Sequence, residues 1–453
     1  MELQNKATSL WGNFFKLGMP QIRAFHMTWF SFFLCFFAWF GIAPLMTVVR
    51  DELSLTKEQV GWSIIASVAI TVVARLFIGW FCDRVGPRLA YTWLLILGSL
   101  PVMGIGFAHD FTTFLIFRLM IGAIGASFVI TQYHTSIMFA PNVVGTANAT
   151  SAGWGNLGGG VTQFVMPAVF ALFVGVLGFT EAIGWRASMF IAGIVCALTG
   201  VAYYFLTQDA PDGNFKDLRA QGKMPEGKYA SGAFFEACKD HRVWALFVIY
   251  GACFGIELTI NNIAALYFAD YFGLGLAAAG TAAALFGLMN IFARTLGGVF
   301  GDKFGGKWGL KGRVFWLFTA LFCEGLALML FSQMTVLMLA VPALVLFSLF
   351  VQMSEGATYS VVPFVNKKAL GAVAGVVGAG GNAGAVAAGF LFKSALDWRT
   401  ALLVLGAVVV GCSFTALLVR FSPEAETEAN RAYQTALSQK QRDPEPQLEP
   451  ALT

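Results

Sequence analysis

Apolar residues along this chain come in long blocks, broken by short polar turns, with none of the strict alternation of a barrel strand. Each block is long enough to cross a bilayer as a helix, which takes about 20 residues. The first six fall near Met27–Val49, Val60–Cys82, Leu89–Phe107, Phe111–Phe139, Gly145–Leu172 and Ala187–Leu206. A polar stretch, Thr207–Arg242, interrupts the series. Six more follow near Val243–Tyr267, Leu274–Phe300, Val314–Phe331, Val336–Val362, Leu370–Phe392 and Thr400–Val419. The pattern predicts an all-α polytopic membrane protein of twelve transmembrane helices in two six-helix bundles. The expected parts are an N-terminal segment 1–26, a bundle 27–206, a linker 207–242, a second bundle 243–421 and a tail 422–453. The tail is rich in Glu, Gln and Pro and reads as disordered.

Composition sharpens this. Charged residues are 12% of the chain and hydrophobic residues 57%, with mean hydropathy +0.71. A soluble domain carries about 25% charged residues. The net charge of +4 resides in the turns and does not describe a nucleic-acid surface. Of seven cysteines, Cys35, Cys196, Cys253, Cys323 and Cys412 sit in apolar runs, as small core residues and not as a disulfide or metal framework. The first 19 residues lack the apolar core and cleavage site of a signal peptide. No nucleophile–base pairing, metal-ligand spacing or nucleotide loop is evident, so neither an enzyme nor a cofactor is expected.

Lys and Arg predict the orientation. They collect at the N-terminus (Lys6, Lys16, Arg23), in the linker (Lys216, Arg219, Lys223, Lys228, Lys239) and in the even-numbered turns (Arg84, Arg88, Lys303, Lys307, Lys311, Arg313, Lys367, Lys368). On the other side, Arg50 and Lys57 are offset by Asp51, Glu52 and Glu58. Both termini and the linker are therefore expected in the cytoplasm.

Arg75 is the only full charge in its apolar run. Placing a guanidinium mid-membrane costs about 3 kcal/mol even on insertion scales, so such a residue points to function. It recurs. Ala74-Arg75-Leu76-Phe77-Ile78-Gly79-Trp80-Phe81-Cys82-Asp83-Arg84-Val85-Gly86 aligns without a gap with Ala293-Arg294-Thr295-Leu296-Gly297-Gly298-Val299-Phe300-Gly301-Asp302-Lys303-Phe304-Gly305. Gly155-Asn156-Leu157-Gly158 has its echo in Gly381-Asn382-Ala383-Gly384. Two parallel halves enclosing a midplane site are a transporter architecture. One buried arginine from each half suits a small anion, because a guanidinium stays charged and grips two oxygens at once.

Gly79-Trp80-Phe81-Cys82-Asp83-Arg84-Val85-Gly86-Pro87-Arg88 resembles the loop motif between spans two and three of the major facilitator superfamily, and Gly301-Asp302-Lys303-Phe304-Gly305-Gly306-Lys307 resembles its degenerate copy. Arg118-Leu119-Met120-Ile121-Gly122-Ala123-Ile124-Gly125 resembles the fourth-span motif. Within that superfamily, Ala152-Gly153-Trp154-Gly155-Asn156-Leu157-Gly158-Gly159-Gly160 and Gly378-Ala379-Gly380-Gly381-Asn382-Ala383-Gly384 resemble the paired signatures of the nitrate/nitrite porter family. The segments Phe25–Phe33, Asp51–Lys57, Phe254–Thr259 and Ser354–Tyr359 are most similar to its high-affinity plant and cyanobacterial members.

The resemblance implies the major facilitator fold and assigns roles. Arg75 and Arg294 would clamp the anion, Tyr250 would donate its hydroxyl, and Asn156 and Asn382 would lie at or behind the site. Phe128 and Phe254 are candidate walls. Asp83, Arg84 and Asp302 would latch one conformation. Arg118, near a helix end where it can snorkel, is structural or gating. The intramembrane acids Glu257, Glu324 and Glu355, with His134, are candidates to carry a proton. Tyr250 and Glu257, seven apart, share a helix face. The function implied is alternating-access import of nitrate, with nitrite as a second cargo, across the inner membrane by a monomer surrounded by lipid. Proton symport is favoured; nitrate/nitrite exchange, or a facilitator for another small or organic anion, are the alternatives. No metal or nucleic acid is implicated.

Overall fold

The computed structural model describes residues 5–139, 144–223, 237–366 and 370–431. Lys367 and Lys368, much of the tail and the side chain of Asp83 lie outside the described residues. Among those described, the helices form twelve crossings, close to the expected positions. The first half contributes Pro20–Trp39, Lys57–Val85, Pro87–Gly104, Phe111–Met138, Val144–Ala171 and Glu181–Leu206. The second begins with His241–Phe272 and Leu276–Leu288 and ends with Leu337–Val361, Leu370–Lys393 and Trp398–Ser413. Between these runs Ala293–Ser332, one helix by hydrogen bonding but two spans by direction.

Gly309 divides it, with φ +67° and ψ −154°, a conformation open to glycine but strained for other residues. The break leaves N–H groups of the next span without partners. Glu426, in the helical stretch 423–431, accepts from Leu310 N at 2.8 Å and Lys311 N at 3.1 Å. The last described helix is thereby docked on the turn between spans eight and nine. Elsewhere span starts are capped by Thr56 with Gln59 in a reciprocal box, and by Asp110, Thr180 and Asp240.

Span four, expected near Phe111–Phe139, is not a uniform α-helix. It tightens to a 3-10 turn over Ala123–Ala126. Beside the turn, the Thr71 hydroxyl donates to Gly122 O at 2.7 Å, drawing that carbonyl toward span two.

Both halves use the same crossing. Span five packs on span one as span eleven packs on span seven. A Cβ on Gly158 would strike the Phe33 backbone carbonyl, and one on Gly384 would strike the Gly251 carbonyl. Small residues here let backbones touch. Between the halves, span two meets span eleven and span five meets span eight.

One face carries the termini and the linker; we call it the terminal face, and the opposite one the far face. On the far face Arg50 pairs with Asp270 at 2.7 Å, and Lys393 with Glu58 at 3.5 Å. Lys57 donates to the Leu396 carbonyl across the same seam. On the terminal face the linker is pinned to the first half. Asp209 accepts from Arg88 N at 2.9 Å and Phe215 N at 3.0 Å. Burial pushes the Asp209 carboxyl up, and those two hydrogen bonds pull against it. Asn5 donates to Asp212 at 2.6 Å, tying the N-terminal segment to the linker.

Candidate anion site between the halves

Spans two and eight bring Arg75 and Arg294 to the interface between the bundles, only 7% and 6% exposed. They interact electrostatically with one another and share Tyr250 and Tyr359 as neighbours. The two phenols pack edge to face at 5.1 Å.

The arginines are held differently. Arg75 donates Nη1 to the Gly378 carbonyl at 3.1 Å, a bond from span two to span eleven. Its guanidinium lies 5.4 Å from the Phe128 ring and 5.5 Å from the Phe254 ring. Aromatic faces attract a cation without consuming its N–H donors. Its Nη2 has no partner, and among the described residues no carboxylate pairs with it. Arg294 donates Nη2 to the Tyr250 hydroxyl at 3.1 Å and sets Nη1 2.5 Å from Glu355 Oε2. That ion pair is close but poorly aligned: neither Nη1 nor either Glu355 oxygen has the geometry of a hydrogen bond.

Other buried polar atoms on the same spans lack partners. Both amide atoms of Asn382, the Tyr359 hydroxyl and Asn156 Oδ1 are orphaned. Each such atom costs about 1–3 kcal/mol. Asn156 gives its Nδ2 to Glu257 at 3.2 Å, and Asn290 gives its own at 2.7 Å. Tyr250 and Glu257 do share a face, meeting Arg294 and Asn290 respectively on span eight. The arrangement offers an anion two flat cations, with phenol and amide donors around them.

The remaining sequence candidates fall elsewhere. Glu324, fully buried, lies behind Glu355, near Ser354 and Cys253. His134 is not brought to the acids: Nδ1 meets the Tyr203 hydroxyl at 2.5 Å and Nε2 the Gln208 carbonyl at 2.9 Å, at the start of the linker. Arg118 does not snorkel. It is fully buried and reaches Asn262 Oδ1 on span seven at 2.7 Å, bridging the halves. Asp302 pairs with Arg313 at 2.7 Å across the turn broken at Gly309. The Arg84 carbonyl receives Arg219 of the linker helix at 2.5 Å.

Sequence reasoning missed Tyr359, Asn290 and Asn262 as polar partners. Tyr359 follows Glu355 by four, a spacing that puts the pair on one helix face and was available as a signal, whereas Asn290 lies in a 3-10 turn separated from Arg294 by the non-helical Phe292, so spacing alone did not place it. Nothing in the spacing marks Asn262 as the partner of Arg118.

Residues 28–365 match the Major Facilitator Superfamily. The chain belongs to that superfamily. It is 39% identical over 426 residues to the "High affinity nitrate transporter 2.5" of Arabidopsis thaliana, covering 93% of this chain and 84% of that one. It is 37% identical over 423 residues to the "High-affinity nitrate transporter 2.3" of Oryza sativa subsp. japonica, covering 92% and 80%. Within the superfamily this places it in the nitrate/nitrite porter family. In fold it is similar to a bacterial homologue of the human lysosomal transporter Spinster in an inward-facing, unoccupied conformation. There the TM-score is 0.64 at 16% identity, with 92% of this chain and 98% of that one covered. The twelve-span reading and the major facilitator architecture implied by the resemblance both stand.

Proposed function

We propose that this chain is a secondary active transporter that imports nitrate across the inner membrane, its halves rocking about Arg75 and Arg294, with protons moving in the same direction. One observation carries the reading: two buried guanidiniums, one per half, share Tyr250 and Tyr359 as neighbours, and each has an N–H lacking an aligned partner. Nitrate is a flat monoanion with three equivalent oxygens, and planar forks match it edge to edge. Arg75 stays without a counter-charge until such an anion arrives. Tyr250 and Tyr359 add hydroxyls beside the arginines, and the unfilled amide atoms of Asn382 and Asn156, on the paired spans eleven and five, are further groups for the anion. The relatives named for nitrate support that cargo.

The terminal face, rich in Lys and Arg, is the cytoplasmic one by the charge rule. The far face is then outermost, and its ion pairs hold the outer side shut. The pairing of Asp302 with Arg313 serves as a cytoplasmic latch of the second half. Import of a monoanion runs against an inside-negative potential by about 2.3 kcal/mol per 100 mV. Proton symport supplies that work, and the buried acids beside Arg294 are placed to carry the proton.

Uptake into proteoliposomes decides the matter. With an imposed inward proton gradient and no internal nitrite, nitrate should accumulate. Accumulation only with nitrite inside would make the protein an exchanger. Uptake competed by small carboxylates but not by chlorate or nitrite would replace nitrate with another anion.

A further inference from the structure

Among the described residues Arg118 is the most deeply buried cation, and the central site does not use it. It lies on span four about 10 Å in from the far-face end at Phe111. Its guanidinium meets neutral oxygens alone. Nη2 donates to Asn262 Oδ1 on span seven at 2.7 Å, Nη1 to the Trp39 carbonyl at 3.4 Å, and Nε has no partner. Among the described residues no carboxylate pairs with it. Trp39 is the last residue of span one, so its carbonyl belongs to the negative end of a helix. That end attracts a cation without neutralising it. A full charge held in an apolar layer with no counter-ion is costly and points to a task.

The same layer gathers other unfilled polar atoms. Gln163 of span five donates Nε2 to the Asn261 carbonyl at 2.8 Å, so Arg118 and Gln163 reach adjacent residues of span seven. Both amide atoms of Asn261 and Oε1 of Gln163 are buried with no partner. Asn262 is steadied by a bond from its Nδ2 to Leu258 O at 2.9 Å, which aims Oδ1 at Arg118. This layer is separate from the central one: from Tyr250 to Asn262, span seven rises about 18 Å toward the far face.

The bond from Arg118 to Asn262 joins the two halves, and span seven also packs on the turn Ala43–Leu45 of the first half. Opening of the far face parts them. Arg118 then stays with spans one and four and loses its one short bond, keeping only the long contact to Trp39. A bare guanidinium faces the outside, along the path by which an anion arrives. Such a charge in a low-dielectric cleft draws small anions toward it.

We propose that Arg118 is a second anion site, an outer docking station that a small monovalent oxyanion enters when the far face opens and leaves when Asn262 returns. Resting on the anion-import reading above, it adds a stop outward of the clamp at Arg75 and Arg294. Asn262 Oδ1 and the anion compete for the same Nη2, so closure of the far face displaces the anion and an anion on Arg118 favours the open form. With one guanidinium and only neutral amides beside it, the station captures by charge, and the two forks further in supply the planar match.

The test uses the full chain in bacterial spheroplasts, where only the far face meets an impermeant thiol reagent, with Ala265→Cys as the reporter. Ala265 is buried, one turn beyond Asn262 on the same face of span seven. The chain without the reporter corrects for the native cysteines. At low salt a negatively charged reagent should react faster than a positively charged one of the same size, and Arg118→Gln should cut that preference by about tenfold or more. Nitrate should slow the labelling with the same half-maximal concentration in wild type and in Arg75→Lys, and Arg118→Gln should abolish the effect. Should Arg118→Gln fail to fold, protection in Arg75→Lys decides alone. Protection that disappears with Arg75→Lys belongs to the clamp; it overturns the outer station and leaves the central site standing. Protection that survives Arg118→Gln, or a reporter that never labels from outside, overturns the station as well. A wild-type chain that nitrate neither protects nor binds overturns both readings.

Discussion

Arg75→Lys tests the central site most directly, because it keeps the charge and removes only the shape. In the wild type the guanidinium donates Nη1 to Gly378 O and, at 3.5 Å, Nε to Gly125 O, and leaves Nη2 unpartnered, with the Phe128 and Phe254 rings within 5.5 Å. A lysine ammonium satisfies the same carbonyl but offers no parallel pair of donors to a planar oxyanion. One charge-assisted hydrogen bond to the anion is lost, about 1.5–3 kcal/mol. Weaker packing between the two rings removes about 0.5–1 kcal/mol more. Together these predict nitrate affinity lower by about 30-fold to nearly 1,000-fold. Titration calorimetry on purified protein reads this, with the melting temperature as the control for folding. A folded Arg75→Lys protein that binds nitrate within about threefold of wild type would refute the two-fork clamp, since a factor that small is under 1 kcal/mol.

Asn262→Ala should leave Arg118 without its best acceptor and weaken the outer closure by about 1.5–3 kcal/mol, so a reporter introduced as Asn261→Cys should label faster with an impermeant reagent. Unchanged labelling would remove Arg118 from the gate. Gly158→Ala drives a methyl into the Phe33 carbonyl and should abolish monodisperse protein, whereas Gly378→Ala, whose Cβ would sit 3.5 Å from the Tyr359 hydroxyl, should fold and bind nitrate more weakly. Size-exclusion profiles and binding titrations separate the two; equal behaviour would contradict the crossing geometry. Asp209→Ala deletes the acceptor for Arg88 N and Phe215 N and should free the linker helix, seen as faster tryptic cleavage at Lys216 and Arg219. An unaltered digest would mean that the linker is anchored by other contacts.

Much of the fold was legible because a membrane forces backbone groups to pair within their own helix, so apolar length alone sets the element. The site was legible in part for the same reason: a guanidinium in an apolar run is costly and points to a role, and Arg75 and Arg294 repeat it at equivalent places in the two halves. What each arginine pairs with was not legible. Glu355 lies far from Arg294 in sequence and reaches it because spans eight and ten pack side by side. His134, named among the candidates to carry a proton, is held at both nitrogens by Tyr203 and the linker.

Periodicity, charge and the internal repeat thus determined the number of crossings, the two halves and the pair of cations, all properties that a chain carries locally. Tertiary packing decided the rest: that among the described residues Arg75 stands without a counter-charge while Arg294 has Glu355, that Arg118 bridges to Asn262, and that Glu257 takes the amides of Asn156 and Asn290. These depend on distances between helices, and those are set by small residues such as Gly158 and Gly384 at crossings remote in sequence from the charges they bring together.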